Sequence, residues 1–226
     1  MIIFKNISKF YHPDVNAVKD LSVHIKPKEF ISIVGQSGTG KTTLVKMMIA
    51  DERPTKGRVM IGGWDITGIK MSEISTLRKQ IGVVFQDFKL LPYKTVFENV
   101  AFALQVCGAP NNKINNIIPQ VLRIVGLKEK FNRYPHQLSG GEQQRVAIAR
   151  SLVHKPKILI ADEPTGNLDL INTKEIIELL KKINSYGTTI VLVTHNREVV
   201  NLLRKRVITM DAGRIIADQE VGKYIL

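Results

Sequence analysis

Residues Gly35-Gln36-Ser37-Gly38-Thr39-Gly40-Lys41-Thr42 satisfy the pattern G-x-x-x-x-G-K-[ST] without a mismatch. Glycines at 38 and 40 let the backbone approach anionic oxygens closely, because no Cβ stands in the way. The N–H groups of such a loop, with the helix N-terminus that follows, form a cradle for phosphates. Lys41 is expected to reach the β- and γ-phosphates of a nucleoside triphosphate, and the Thr42 hydroxyl to ligate Mg²⁺. A dinucleotide-binding loop is disfavoured, since G-x-G-x-x-G is absent here. A second chemical pair, Asp162-Glu163, closes the apolar run Lys157–Ala161. Asp162 is expected to hold Mg²⁺ through water, and Glu163 to polarise an attacking water. Taken alone, the pair also suits a solvated acidic turn after a core strand. In-line phosphoryl transfer needs little covalent chemistry from a protein, so positioning and charge neutralisation would carry the reaction.

These groups need elements that deliver them to one edge. Glu29–Val34 is apolar and β-branched, as expected of a strand buried on both faces, and Thr43–Ile49 suits the helix after the loop. Ile81–Phe85, Ile158–Ala161 and Thr189–Val193 are expected to complete a mostly parallel core sheet, with ligands at the carboxyl ends of its strands. Ile2–Ile7, Leu21–Ile25 and Arg58–Ile61 are short strands suited to an antiparallel β-subdomain. Between Asp87 and Lys155 the apolar spacing becomes helical, over Thr95–Val106, Lys113–Val125 and Gly140–Val153, with Gly126, Pro135 and Pro156 as punctuation. Val207–Met210 and Ile215–Ala217 follow near the end, and no C-terminal regulatory domain is expected.

Leu138-Ser139-Gly140-Gly141-Glu142-Gln143-Gln144 is more specific than either motif above. It resembles the signature sequence of the ABC-type ATPases, and with the other motifs the resemblance covers essentially the whole chain in the family's order. It implies an α/β fold: an ABC-type nucleotide-binding domain with a P-loop (RecA-like) core sheet, an antiparallel β-subdomain and a helical subdomain. The expected division is one domain over 1–226, with core and β-subdomain at about 1–86 and 156–226 and the helical subdomain at about 87–155. The resemblance implies that Ser139, Gly140 and Gly141 close over the γ-phosphate of ATP held by a second copy of the chain. It also places Tyr11 where the family stacks an aromatic on adenine, although Tyr11 and Phe10 also suit packing of the β-subdomain. Gln86 matches the glutamine that touches Mg²⁺ or water. Gly166-Asn167-Leu168-Asp169 matches the loop at the dimer seam, and His195 the histidine that contacts the γ-phosphate. The implied nucleotide set is thus Tyr11, the loop 35–42 with Thr43, Gln86, Ser139, Gly140, Gly141, Asp162 and His195. Thr42, Gln86 and Asp162 form the metal set, and Glu163, His195, Gln86 and Lys41 the catalytic one.

Within that family, Val84-Phe85-Gln86-Asp87-Phe88-Lys89-Leu90-Leu91-Pro92, Asp162–Asp169 and Thr194–Asn201 make the chain similar to the bacterial cell-division branch. The form Gly166-Asn167-Leu168-Asp169 is shared with lipoprotein-releasing and macrolide-export ATPases, which stand as the alternative. The cell-division branch implies an ATP-induced, head-to-tail homodimer on the cytoplasmic face of the plasma membrane. There it would be attached to the integral membrane partner FtsX, and its closure would control peptidoglycan hydrolysis. Phe88, Leu90, Leu91 and Pro92, directly after Gln86, suit either a docking groove for a partner helix or core of the helical subdomain. A soluble family member acting on DNA or ribosomes is expected to carry a coiled-coil insertion or a second cassette, and neither pattern is present.

Composition agrees with a cassette. The 226 residues can bury a sizeable core, and a hydrophobic fraction of 44% is ordinary for a globular domain. No apolar stretch reaches the ~20 residues needed to cross a bilayer, and the N-terminus lacks a signal-peptide pattern. The single cysteine, Cys107, is expected to be a buried thiol of a cytosolic protein. The net charge of +13 suits a soluble basic surface with a nucleotide groove, or proximity to anionic lipid. Basic residues group at Arg204-Lys205-Arg206 and around Arg123, Lys128, Lys130 and Arg133. Nucleic acid is not expected as a partner, since no aromatic-studded basic motif is present.

Overall fold

The computed structural model describes residues 1–11 and 15–222. A four-stranded antiparallel sheet has the order β2-β1-β4-β5, from β1 (Ile2–Tyr11), β2 (Val15–Ile25), β4 (Lys56–Ile61) and β5 (Trp64–Asp65). A six-stranded sheet has the order β10-β9-β3-β8-β7-β6, from β3 (Phe30–Val34), β6 (Ile81–Val84), β7 (Ile158–Asp162), β8 (Thr189–Thr194), β9 (Arg206–Asp211) and β10 (Arg214–Gln219). The five strands from β9 to β6 run parallel, and β10 is an antiparallel edge.

Alternation along these strands divides the core. Ile31, Ile33, Ile158, Ile160, Val191 and Val193 face a cluster shared with β1, β2, β4 and α1 (Lys41–Met48). Phe30, Leu159, Ala161, Ile190 and Leu192 face the opposite cluster. The latter is filled by α3 (Val96–Val106), α4 (Asn111–Ile124), α5 (Gly140–Leu152), α6 (Leu170–Ser185) and α7 (Arg197–Leu203). Because both faces are covered, the central strands read as continuous apolar runs rather than alternating ones.

The helices begin where local chemistry satisfies their first N–H groups. Thr95 Oγ1 accepts from Glu98 N at 3.2 Å, and Thr95 N donates to Glu98 Oε2 at 2.7 Å. Ser139 and Glu142 repeat this reciprocal pair at the start of α5, at 3.3 and 3.0 Å. Each such cap contributes about 1 kcal/mol. Asn99, fully buried in α3, ties down the preceding loop. Its Nδ2 donates to the carbonyls of Leu91, Lys94 and Thr95 at 2.9–3.1 Å, and its Oδ1 accepts from Leu91 N at 2.8 Å.

Several expectations shift. β1 and β2 are longer than Ile2–Ile7 and Leu21–Ile25, with register shifts within their pairing that keep Lys9–Tyr11 and Val15–Val18 in the ladder. α1 starts at Lys41, inside the glycine motif, rather than at Thr43. α2 (Met71–Arg78), α6, α7 and β5 had no counterpart among the sequence segments. Cys107 is partly exposed beyond the last turn of α3, not buried, because the helix ends there and the chain turns at Gly108. Phe88 and Leu90 are half-buried against the helical cluster, which favours core over docking for these two.

Candidate active site

β3 ends at Val34, and the chain wraps through Gly35–Gly40 into α1. Gly40 sits at φ 98°, and a Cβ there would lie 2.3 Å from the Ala17 carbonyl oxygen of β2. Both the backbone conformation and the close approach therefore require glycine. No side chain caps α1 and its first turn holds no acid, so its leading N–H groups face the cavity as an anion site.

That cavity, of about 640 Å³, is lined by Gln36, Ser37, Gly38, Gly40, Lys41, Thr42 and Thr43 from the loop and helix. Gln86, Asp162, Glu163 and His195 close the opposite side, and Val15, Asn16 and Ala17 of β2 form a third wall. A contiguous cavity of about 460 Å³ is lined by Thr42, Gln86, Asp162, Glu163 and Asn167, among others. Parallel strands explain the convergence: β3, β7 and β8 all end at this edge, so loops with unrelated sequence positions meet there.

Lys41 is only 8% exposed, and its Nζ donates to the carbonyls of Gly35 and Gln36 at 2.8 and 2.7 Å. Burial lowers its pKa, opposed by the nearby carboxylates of Glu163 and Asp162. Asp162 shifts the other way: burial raises its pKa, the Glu163 charge adds to this, and Lys41 opposes it.

Glu163 occupies the left-handed region at φ 48°, where a non-glycine residue costs on the order of 1–3 kcal/mol. Its amide is anchored to the Val193 carbonyl at 2.8 Å. Three contacts from the end of β8 hold its carboxylate. Oε1 meets His195 N at 3.0 Å and His195 Nδ1 at 2.6 Å, and Oε2 accepts from Thr194 Oγ1 at 3.1 Å. Thr194 is fully buried and in turn accepts from Asn196 N at 3.1 Å. The sequence motifs pointed to Glu163 and His195 but not to Thr194, whose role is visible only once β7 and β8 are neighbours.

Gln86 follows β6 by two residues and lies over Gly166, where a Cβ would approach its Nε2 to 2.7 Å. Gln86 Nε2 donates to Asn167 Oδ1 at 3.2 Å, and Asn167 Nδ2 donates to the Gln86 carbonyl at 3.3 Å. Tyr11 lies off the lining, at the end of β1 opposite Val15, with Lys9 Nζ 5.1 Å from its ring centroid. Ser139, Gly140 and Gly141 are also absent from the lining; they start α5, with Gly141 against Asn172 of α6.

Residues 18–166 match the ABC transporter family. The chain is 51% identical over 224 residues to the cell division ATP-binding protein FtsE of Bacillus subtilis (strain 168), covering 99% of this chain and 98% of that one. It is 46% identical to FtsE of Streptococcus pneumoniae serotype 2, covering 99% and 97%. This chain is an ABC-type ATPase of the FtsE family. Among solved structures, it superposes with TM-score 0.87 on the ATP-binding cassette MJ0796, described as dimeric, post-hydrolysis and bound to ADP and Pi. That cassette is 35% identical, with 99% and 100% of the two chains covered.

The cassette binds ATP and hydrolyses it to ADP and phosphate. A buried ammonium beside a helix N-terminus is suited to a polyphosphate, since an anion would replace the loop carbonyls as its partner. Lys41→Ala is expected to weaken ATP binding by at least about tenfold in a direct calorimetric titration. Unchanged affinity would show that the ammonium does not meet the nucleotide.

Proposed function

We propose that this cassette is the ATPase subunit of a bacterial cell-division ABC complex. It would act as an ATP-closed, head-to-tail homodimer at the cytoplasmic face of the plasma membrane, with FtsX as membrane partner and peptidoglycan hydrolysis as the controlled process. Identity to FtsE over nearly the full length of both chains supports the cell-division role. The observation that carries the dimer is the position of Ser139, Gly140 and Gly141, off the cavity lined by Lys41, Asp162 and Glu163. From that position they would reach a nucleotide only on a second copy.

In this proposal Lys41 and the 35–42 loop hold the β- and γ-phosphates, and Glu163 takes the attacking water's proton or orients that water. His195 reaches the γ-phosphate, and Tyr11, which lies off the cavity lining, is carried over to adenine by the family resemblance alone. Mg²⁺ fits the site, because Thr42, Gln86 and Asp162 bring oxygen donors to one cavity, the ligand type this hard cation prefers. When bound, it would neutralise charge developing on the β- and γ-phosphate oxygens.

A second cavity supports the membrane partner. A groove of about 920 Å³ runs between α2, β6, α3 and α5, lined by Met71, Phe102 and Val106 with Arg53, Arg78 and Lys79. Arg150 reaches from this groove to the carbonyls of Phe88 and Lys89 at 2.9 and 2.6 Å. Those residues, both at positive φ, follow Gln86 within three positions. A helix seated in the groove would thus bear on the loop that faces the nucleotide, with residues about 87–155 moving as a helical subdomain.

Three outcomes are expected. Glu163→Gln should bind ATP, hydrolyse it more than about a hundredfold slower and accumulate as a dimer in size-exclusion chromatography; turnover at the wild-type rate would remove Glu163 from the role of base. Lys41→Ala and Ser139→Arg should each be inactive, yet mixing them should restore ATPase activity through the one composite site that carries neither lesion. Proven mixed dimers without rescue would count against sites shared between copies. Membranes carrying the ATP-trapped Glu163→Gln variant should yield FtsX on purification, whereas recovery of a solute-exporting membrane subunit would overturn the cell-division role.

A further inference from the structure

The parallel strands that bring the nucleotide residues to one edge bring a different set of residues to the other. The turns leading into β9, β3, β7 and β6 carry Arg204 and Lys205, Lys26 and Lys28, Lys155 and Lys157, and Lys79, and α6 adds Lys182 in its last turn. All eight side chains are exposed. The turns are knitted together by their backbones. Lys28 N donates to Thr189 Oγ1 at 2.8 Å, Thr189 N to the Lys157 carbonyl at 3.0 Å, and Lys157 N to the Gln80 carbonyl at 3.0 Å. Asn184 Nδ2 donates to the Lys28 carbonyl at 2.9 Å, which places exposed Tyr186 beside Lys28.

Nearby acids are largely engaged by arginines. Arg206 holds Glu29 at 2.9 Å and Asp218 at 2.7 Å, and Asp51 lies 3.7 Å from Arg78. Glu220, after β10, remains. Among the described residues none of the eight cations is in an ion pair, so this edge carries much of the molecule's excess positive charge.

The geometry points to this basic edge as a docking surface for an acidic, extended protein segment. From β9 to β6 the row spans roughly 19 Å at the ~4.8 Å strand spacing, about the length of a six-residue extended peptide. Seven of the eight cations are lysines, point charges suited to diffuse contact with an extended run of carboxylates, whereas a bidentate fork for a single carboxylate or phosphate would need arginine. Tyr186 offers one amphipathic anchor but no run of aromatics for stacking bases, and the exposed Leu202 and Val221 sit only at the β9 end, short of an apolar stripe along the row for insertion into lipid. The surface lies at the end of the sheet opposite the nucleotide cavity, so it would remain open when a second copy closes over ATP; of its eight cations Lys79 alone also lines the groove beside α2.

The test compares three forms of the cassette by fluorescence anisotropy with a labelled poly-glutamate peptide. One form is wild type, one carries Lys28→Gln, Lys155→Gln, Lys157→Gln and Lys205→Gln, and a control carries Lys5→Gln, Lys56→Gln, Lys113→Gln and Lys174→Gln. The edge variant, with four of the eight cations removed, is expected to lose about tenfold or more in affinity and about half of the salt dependence, while the equal-charge control stays within about threefold. ATPase activity should be unchanged in both, which reports an intact fold. Equal losses in the two variants would reduce the effect to net charge and overturn the surface. Tighter binding of duplex DNA or phosphatidylglycerol vesicles through the same four lysines would overturn the protein segment as occupant.

Discussion

A lysine only 8% exposed shares its neighbourhood with two adjacent carboxylates, and most of the surrounding architecture serves to make that tolerable. Burying an ammonium without partners costs several kcal/mol. Here it is met by two loop carbonyls and by the charges of Asp162 and Glu163. Keeping the carbonyls in place requires a loop that turns back on itself, hence the glycine at φ 98° and the contact with β2. Keeping the carboxylates in place requires β7 beside β8, so that Thr194 and His195 can hold Glu163. The apolar faces on either side of the sheet then fix the strands themselves.

The same contacts make the site sensitive to distant packing. Gln86 is tied to Asn167 in both directions, so the loop after β6 and the loop before α6 cannot shift independently. Arg150, pushed down in pKa by its burial in α5, clamps Phe88 and Lys89 in left-handed conformations. A helix rotation at α5 would therefore be felt at Gln86 through hydrogen bonds rather than through diffuse strain. The groove between α2 and α3 lies on the other side of that arginine.

Much of the core was legible because it rests on short-range rules. The run Glu29–Val34 and the glycine loop predict their own structure, and the apolar spacing over Thr95–Val106 and Gly140–Val153 predicts α3 and α5, whose starts are then closed by Thr95 and Ser139 with a glutamate three residues on. The brief helices α2 and α7, at eight and seven residues, are too short for periodicity to assert itself over loop-like flanks. α6 follows the loop Asn167-Leu168-Asp169, opens on Leu170-Ile171-Asn172-Thr173, and mixes lysine and glutamate with its apolar face. Thr194 and Val15–Ala17 were invisible for another reason: nothing local marks them, and only sheet order brings them to the cavity. Cys107 misled because an apolar stretch does not say which side of the final turn faces solvent.

The backbone of Glu163 turns through the left-handed region that glycine or asparagine adopts at lower cost. Selection on folding alone would drift away from glutamate at this position, gaining stability with each step. Glycine would relax the turn but would also discard the carboxylate that Thr194 and His195 hold, so at this one position a cheaper backbone and a placed charge exclude each other.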